Sequence, residues 1–243
     1  MVPGSAGWPT WSEPRSCLAC VVRDCHHREV PDAERSQAAA ASPRNAGAWG
    51  LTFVALLLVS AGMASVPGGD DTVAVVRAFY LEHTSVVLAA QLIGLVAVIP
   101  LVLFFRGLAR SSLVSASRER SIWVCGVAVA AAAVVTAAPA LWLCATADTA
   151  TASVVHGWAV ASDLVDVLLF LAIAAFGAAC ARSLQGGAWV RWMSLVVAAA
   201  CLARAVGILI GSALLEVVAP VGFIVLVCAL SVLLLRRIVC ALL

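Results

Sequence analysis

Long apolar runs separated by short polar segments dominate the pattern of this chain. Six runs reach about 20 residues, the length that an α-helix needs to cross roughly 30 Å of hydrocarbon. Hydrocarbon cannot satisfy open strand edges, and the alternation of about ten residues typical of a membrane barrel is missing, so each run is predicted to be a helix. The predicted spans are residues 48–66, 85–105, 122–145, 158–181, 189–210 and 213–235.

Residues 1–47 have a different character, with proline, serine, charged residues and a run of alanines but no sustained apolar periodicity. This composition is typical of a disordered segment. We therefore predict an all-α polytopic membrane protein with three parts. They are a disordered cytoplasmic tail (1–47), a domain of six transmembrane helices (48–235) and a short cytoplasmic C-terminus (236–243).

Composition supports the membrane assignment. The chain is 63% hydrophobic and only 12% charged, whereas soluble domains have about 45–50% apolar and about 25% charged residues. The formal net charge is +2, and no basic domain is present to bind nucleic acid. The lipid bilayer is the expected partner, while a protein partner or a second copy of the chain remains open.

The distribution of arginine predicts the orientation. Five arginines precede the first span, and four, two and two follow spans 2, 4 and 6, whereas the loop after span 1 has only Arg77 and the loops after spans 3 and 5 have none. Because cytoplasmic loops are rich in Arg and Lys, both termini are predicted to be cytoplasmic in a cell inner membrane. Six tryptophans near predicted span ends fit an interfacial aromatic belt: Trp49, Trp123, Trp142, Trp158, Trp189 and Trp192.

A charged residue stands inside the fifth span, in the stretch CLARAVGILIG. Arg204 lies twelve residues after Trp192, which places it about 18 Å from the inner interface. Asp166 in the antiparallel span 4 lies eight residues after Trp158, about 12 Å from the outer interface. Both therefore belong to the outer half, and an ion pair of Arg204 with Asp166 or Asp163 is expected. Because a carboxylate can take up a proton and arginine cannot lose one readily, loss of Asp166 is expected to be more damaging than loss of Arg204.

Intramembrane polar residues of similar depth form a predicted polar cluster: Gln91, Asp163, Asp166, Arg204 and Glu216. Glu216 is expected in the first turn of span 6. Gly207 and Gly211 share a helix face with Arg204 and form a GxxxG pattern, which predicts close packing against a neighbouring helix. The cluster has two interpretations: it clamps helices together, or it lines an outward cavity or ion path.

The tail contains a possible metal site. Cys17, Cys20, Cys25 and His26 occur in CLACVVRDCHH, and thiolates and imidazoles in such spacing suit zinc. The alternative is an unstructured segment without a cofactor, which we favour.

Two further histidines, His83 and His156, lie at predicted outer span ends. They suit proton sensing or ligation of a metal or haem, or are simply interfacial polar residues. Motifs of the common hydrolases, metalloproteases and nucleotide-binding enzymes are missing. The sequence therefore favours a role other than catalysis, with an enzyme as an alternative.

One stretch, AFYLEHTSVVLAAQLIGLVAVIPLVLFFRGLAR, combines Tyr80-x-x-His83 with Phe104-Phe105-Arg106-x-Leu108, and span 5 begins with VRWMSLVV. Over about residues 48–235 the chain resembles uncharacterised six-span membrane proteins common in actinobacteria. In those proteins a proline often precedes the arginine of span 5, where this chain has Val190. The resemblance implies a bacterial protein of the same topology and no particular activity.

Three functional hypotheses follow. The protein is a structural, assembly or accessory membrane protein whose polar cluster clamps helices, which we favour. Alternatively, it is a small-solute or proton-coupled transporter that uses the cluster. The third hypothesis is a membrane redox protein or enzyme that uses His83 and His156.

Overall fold

The structure is a computed structural model that describes residues 43–63, 71–185, 187–212 and 215–242. Within these ranges six helices are long and apolar enough to cross a membrane, which confirms the predicted all-α fold. The helices are α1 (Pro43–Met63), α2 (Val73–Ala109), α3 (Glu119–Thr146), α4 (Ala152–Ser183), α5 (Ala188–Leu209) and α6 (Val218–Leu242), with a 3₁₀ turn at Ala116–Arg118. The predicted zinc ligands Cys17, Cys20, Cys25 and His26 lie outside the described residues.

The start of the first helix and the end of the last helix extend beyond the predicted segments. The first helix begins at Pro43, so it includes residues assigned to the tail. Proline suits the first helical position, since its missing N–H has no partner there, and Ala46 is buried. The last helix continues to Leu242, beyond the predicted end of span 6.

The helices form a closed bundle. Each helix packs against the next along the chain, and α6 packs against α1 as well as α5. The main core lies between them and includes the fully buried side chains of Phe104, Phe105, Phe176, Leu226 and Leu230.

One end of the bundle carries the helix ends rich in arginine and is called here the arginine-rich end. There the segment between α2 and α3 pairs with the turn between α4 and α5. The Gln185 N–H donates to the Leu113 carbonyl at 2.7 Å, and the Ser115 N–H donates to that of Ser183 at 3.4 Å. Backbone hydrogen bonds therefore tie two connections to each other at this end.

A break in α2 marks the opposite end. His83 has φ −113° and ψ 17°, outside the helical range. The part before this break was predicted to be a loop, but Val76 and Tyr80 are buried in a second cluster with Leu143 and Val155. Burial of these side chains stabilises the additional helical turns, because helix formation in proteins depends largely on packing of an apolar face.

Glycines allow close approach of helices inside the bundle. A Cβ at Gly177 of α4 would lie 2.9 Å from the Ser194 carbonyl oxygen of α5, and one at Gly126 of α3 would lie 2.6 Å from Phe105. Neither position has room for a side chain, so these glycines determine how closely the helix backbones pack.

Candidate functional site: the polar cluster and the adjoining cavity

Arg204 is held by the end of its own helix. Its Nη1 donates a hydrogen bond to the carbonyl oxygen of Ser212 at 3.0 Å. Its Nε is buried, and within the described part of the chain this atom has no hydrogen-bond partner. The guanidinium therefore binds a carbonyl that the helix itself cannot satisfy.

That carbonyl belongs to a Schellman turn that terminates α5. The Ser212 N–H donates to the Gly207 carbonyl at 2.8 Å, and the Gly211 N–H donates to that of Ile208 at 3.2 Å. Gly211 has φ +66°, the left-handed conformation that favours glycine at this position. Gly207 is buried, but a Cβ at Gly211 would meet nothing within 4 Å. Gly211 thus ends the helix, contrary to the prediction that it packs against a neighbour.

Asp166 and Asp163 lie on α4, which packs against α5. Asp166 interacts electrostatically with both Asp163 and Arg204. Among the described residues, the interaction of Asp166 with Arg204 acts through space rather than at contact distance. The structure therefore brings Asp163, Asp166 and Arg204 together as a charged trio, with the guanidinium bound to a backbone oxygen.

Glu216 does not belong to this trio, and it does not lie in a helix. It is exposed in the turn before α6, two residues ahead of Val218, where the helix begins. Leu215 beside it has φ +68°, so the backbone is not helical at this point. The prediction that Glu216 lies in the first turn of the sixth helix is wrong.

Gln91 lines a cavity of about 240 Å³ inside the bundle, bounded by α1, α2, α3, α4 and α6. Two other polar side chains line it, and both are bonded to backbone. The hydroxyl of Ser60 donates to Ala90 and that of Thr136 donates to Ala133, each at 2.8 Å. Among the described residues the carboxamide of Gln91 makes no hydrogen bond to protein, so its donor and acceptor both remain available to a molecule in the cavity.

The cavity lies close to the charged trio. Phe170 lines it one helical turn after Asp166, and Pro220 lines it from α6. Ala219 precedes that proline, and its carbonyl accepts a weak hydrogen bond from the Cys201 thiol at 3.9 Å. Cys201 lies one helical turn before Arg204. Asp166 therefore lies one helical turn from a residue that lines the cavity.

His83 and His156 occupy different environments. His83 lies at the break in α2, with its ring stacked on Phe79 at a centroid distance of 5.0 Å. His156 is exposed near the start of α4. In the described ranges, no group of three or more His, Cys, Asp or Glu side chains is placed to hold a metal ion.

Sequence reasoning missed three residues of this site: Ser60, Thr136 and Ser212. The hydroxyls of Ser60 and Thr136 face a cavity that forms only when five helices assemble, so no local signal identifies them. Ser212 was detectable, since a glycine followed by a polar residue at the end of an apolar run is typical of a helix C-terminus.

Comparison with known proteins found no relative of this chain. No protein-family model, no curated protein and no solved structure matches this chain.

Proposed function

We propose that this integral membrane protein has a structural or accessory role, in which the charged trio clamps the middle of α4 to the end of α5 and to the turn that follows it. The hydrogen bond from Arg204 to the Ser212 carbonyl carries the proposal. It ties the arginine to the turn that leads into α6, while Asp166 on α4 interacts with the same charge.

The energies are compatible with a clamp. Insertion of arginine at the centre of a span costs about 2.5–3.5 kcal/mol. A hydrogen bond with a charged donor contributes roughly 1.5–3 kcal/mol of stabilisation, and the nearby carboxylate offsets a further part of the insertion cost. The arginine therefore needs no bound solute to be tolerated.

The clamp is tested by the stability of variants. Arg204→Leu should loosen the bundle, and Arg204→Lys should loosen it less.

We also propose that the protein lies in a cell inner membrane with both termini on the cytoplasmic side, on the basis of the arginine distribution. Reporter fusions after Ser117, in the 3₁₀ turn between α2 and α3, should report the cytoplasm. Fusions after Asp148, in the turn between α3 and α4, should report the other side. Detection of both reporters on one side would contradict this topology.

A small-solute transporter is the second candidate, favoured by the unpaired carboxamide of Gln91 in the cavity. If solutes pass here, Gln91→Cys should react with a charged, membrane-impermeant thiol reagent in a variant without the native cysteines. Leu92→Cys is the matched control, because Leu92 is 59% exposed on the outer surface of the bundle and would face lipid. Equal reaction rates at the two positions would argue against a water-accessible path.

A further inference from the structure

A second cavity, of about 520 Å³, lies at the arginine-rich end between the end of α2 and the start of α3. Its lining includes Arg106, Arg110, Glu119, Arg120 and Trp123. It is separate from the charged trio and from the cavity of Gln91. We call it the arginine pocket.

The helices hold these side chains in place. Arg106 lies in the last turn of α2, and Arg110, four residues later, caps its C-terminus in helical backbone conformation. Arg120 and Trp123 are three residues apart at the start of α3. Each pair therefore lies on one helix face. The intervening segment is tied to the α4–α5 turn by backbone hydrogen bonds, so the two arginine-bearing helix ends are fixed relative to each other.

The pocket has an excess of positive charge. Arg110 Nε lies 4.0 Å from Glu119 Oε1, with both side chains about half exposed. Within the described residues, Arg106 and Arg120 have no such carboxylate partner. Three guanidinium groups thus share one carboxylate, whereas the dipoles of the two helices oppose each other here, because α2 ends and α3 begins at the pocket. An anion would relieve this repulsion.

We infer that the arginine pocket binds a phosphate group, supplied either by the headgroup of an anionic phospholipid or by a soluble phosphate. Guanidinium groups form paired, charge-assisted hydrogen bonds with phosphate oxygens. Trp123 is half-buried in the lining, and tryptophan is typical of the level of lipid headgroups. This function goes beyond orienting the chain, because orientation requires arginines in the loop but no shared pocket.

The test uses the full chain, purified in detergent and analysed by native mass spectrometry with phosphatidylglycerol or phosphatidylcholine. Retention of phosphatidylglycerol over phosphatidylcholine is expected. Each arginine near a membrane surface contributes about fivefold to the binding of an anionic lipid, so Arg106→Gln with Arg120→Gln should weaken retention roughly 25-fold. Glu119→Gln removes the competing carboxylate and should strengthen it.

Arg182→Gln with Arg236→Gln is the matched control. Both arginines are exposed and lie at the arginine-rich end, and the two substitutions remove the same charge as those in the pocket. Displacement of the lipid by inorganic phosphate or glycerol phosphate at millimolar concentration would identify a soluble phosphate as the natural source, and resistance to it would identify the lipid. Equal retention of the two lipids by the wild type, or equal losses in the two double variants, would overturn the inference. If the pocket variant fails to fold, an unchanged affinity in Glu119→Gln would also overturn it.

Discussion

Replacing Arg204 by leucine is expected to destabilise the helix bundle by about 1.5–3 kcal/mol, the usual contribution of a hydrogen bond that involves a charged group. The variant loses the bond from Nη1 to the Ser212 carbonyl. That carbonyl follows the end of α5, where no helical N–H is available to replace the guanidinium. The turn between α5 and α6 should therefore become less ordered.

Asp166→Leu should be milder than Arg204→Leu. The arginine keeps its bond to Ser212 when the carboxylate is removed, and the repulsion between Asp166 and Asp163 is removed as well. The structure thus reverses the order expected from the sequence, in which Asp166 was the more sensitive position. Because the two charges interact through space, the double variant should be less destabilised than the sum by roughly 0.5–1 kcal/mol.

These values can be measured as unfolding free energies from titration with sodium dodecyl sulfate in mixed micelles. Arg204→Lys separates the two interactions of the arginine. It keeps the positive charge near Asp166 but lacks the planar fork that reaches the carbonyl, so it should fall between wild type and Arg204→Leu. A larger loss for Asp166→Leu than for Arg204→Leu would show that the turn does not hold the arginine, and strict additivity in the double variant would show that the two charges do not interact.

Gly177→Ala is expected to destabilise the bundle by about 1–3 kcal/mol, as overpacking of a dense core does. The new Cβ would lie 2.9 Å from the carbonyl oxygen of Ser194 and 3.2 Å from the Cβ of Ala198. The carbonyl belongs to the backbone of α5, so it cannot move aside as a flexible side chain would. Separation of α4 from α5 is the remaining response, and it disturbs the packing of both helices.

Gly157→Ala provides a control in the same helix. A Cβ at Gly157 would meet nothing within 4 Å, and alanine is favoured over glycine in a helix interior by roughly 0.5–1 kcal/mol. This variant should be as stable as wild type or more so in the same titration. Similar effects of the two substitutions would indicate that helix propensity, rather than close packing, explains the behaviour of Gly177.

The sequence predicted the helical spans because spanning a membrane depends on local properties. Length, apolarity and the need to satisfy backbone groups internally act on each segment separately. All six predicted segments correspond to helices that can span a membrane. An error occurred where packing extends a helix, as before His83. The end of span 5 was predicted within one residue, but the role of Gly211 in ending the helix was not predicted.

The tertiary structure determined which groups the polar side chains contact. Depth calculation placed Arg204 near the level of Asp166, because the rise per residue is the same in every helix, and the guanidinium lies within electrostatic range of that carboxyl group. Depth alone could not show that the guanidinium reaches the Ser212 carbonyl or that Gln91 faces a cavity. Those facts depend on the rotation of each helix about its axis and on the path of the connecting turn, which are set by side-chain packing among all the helices rather than by any one of them.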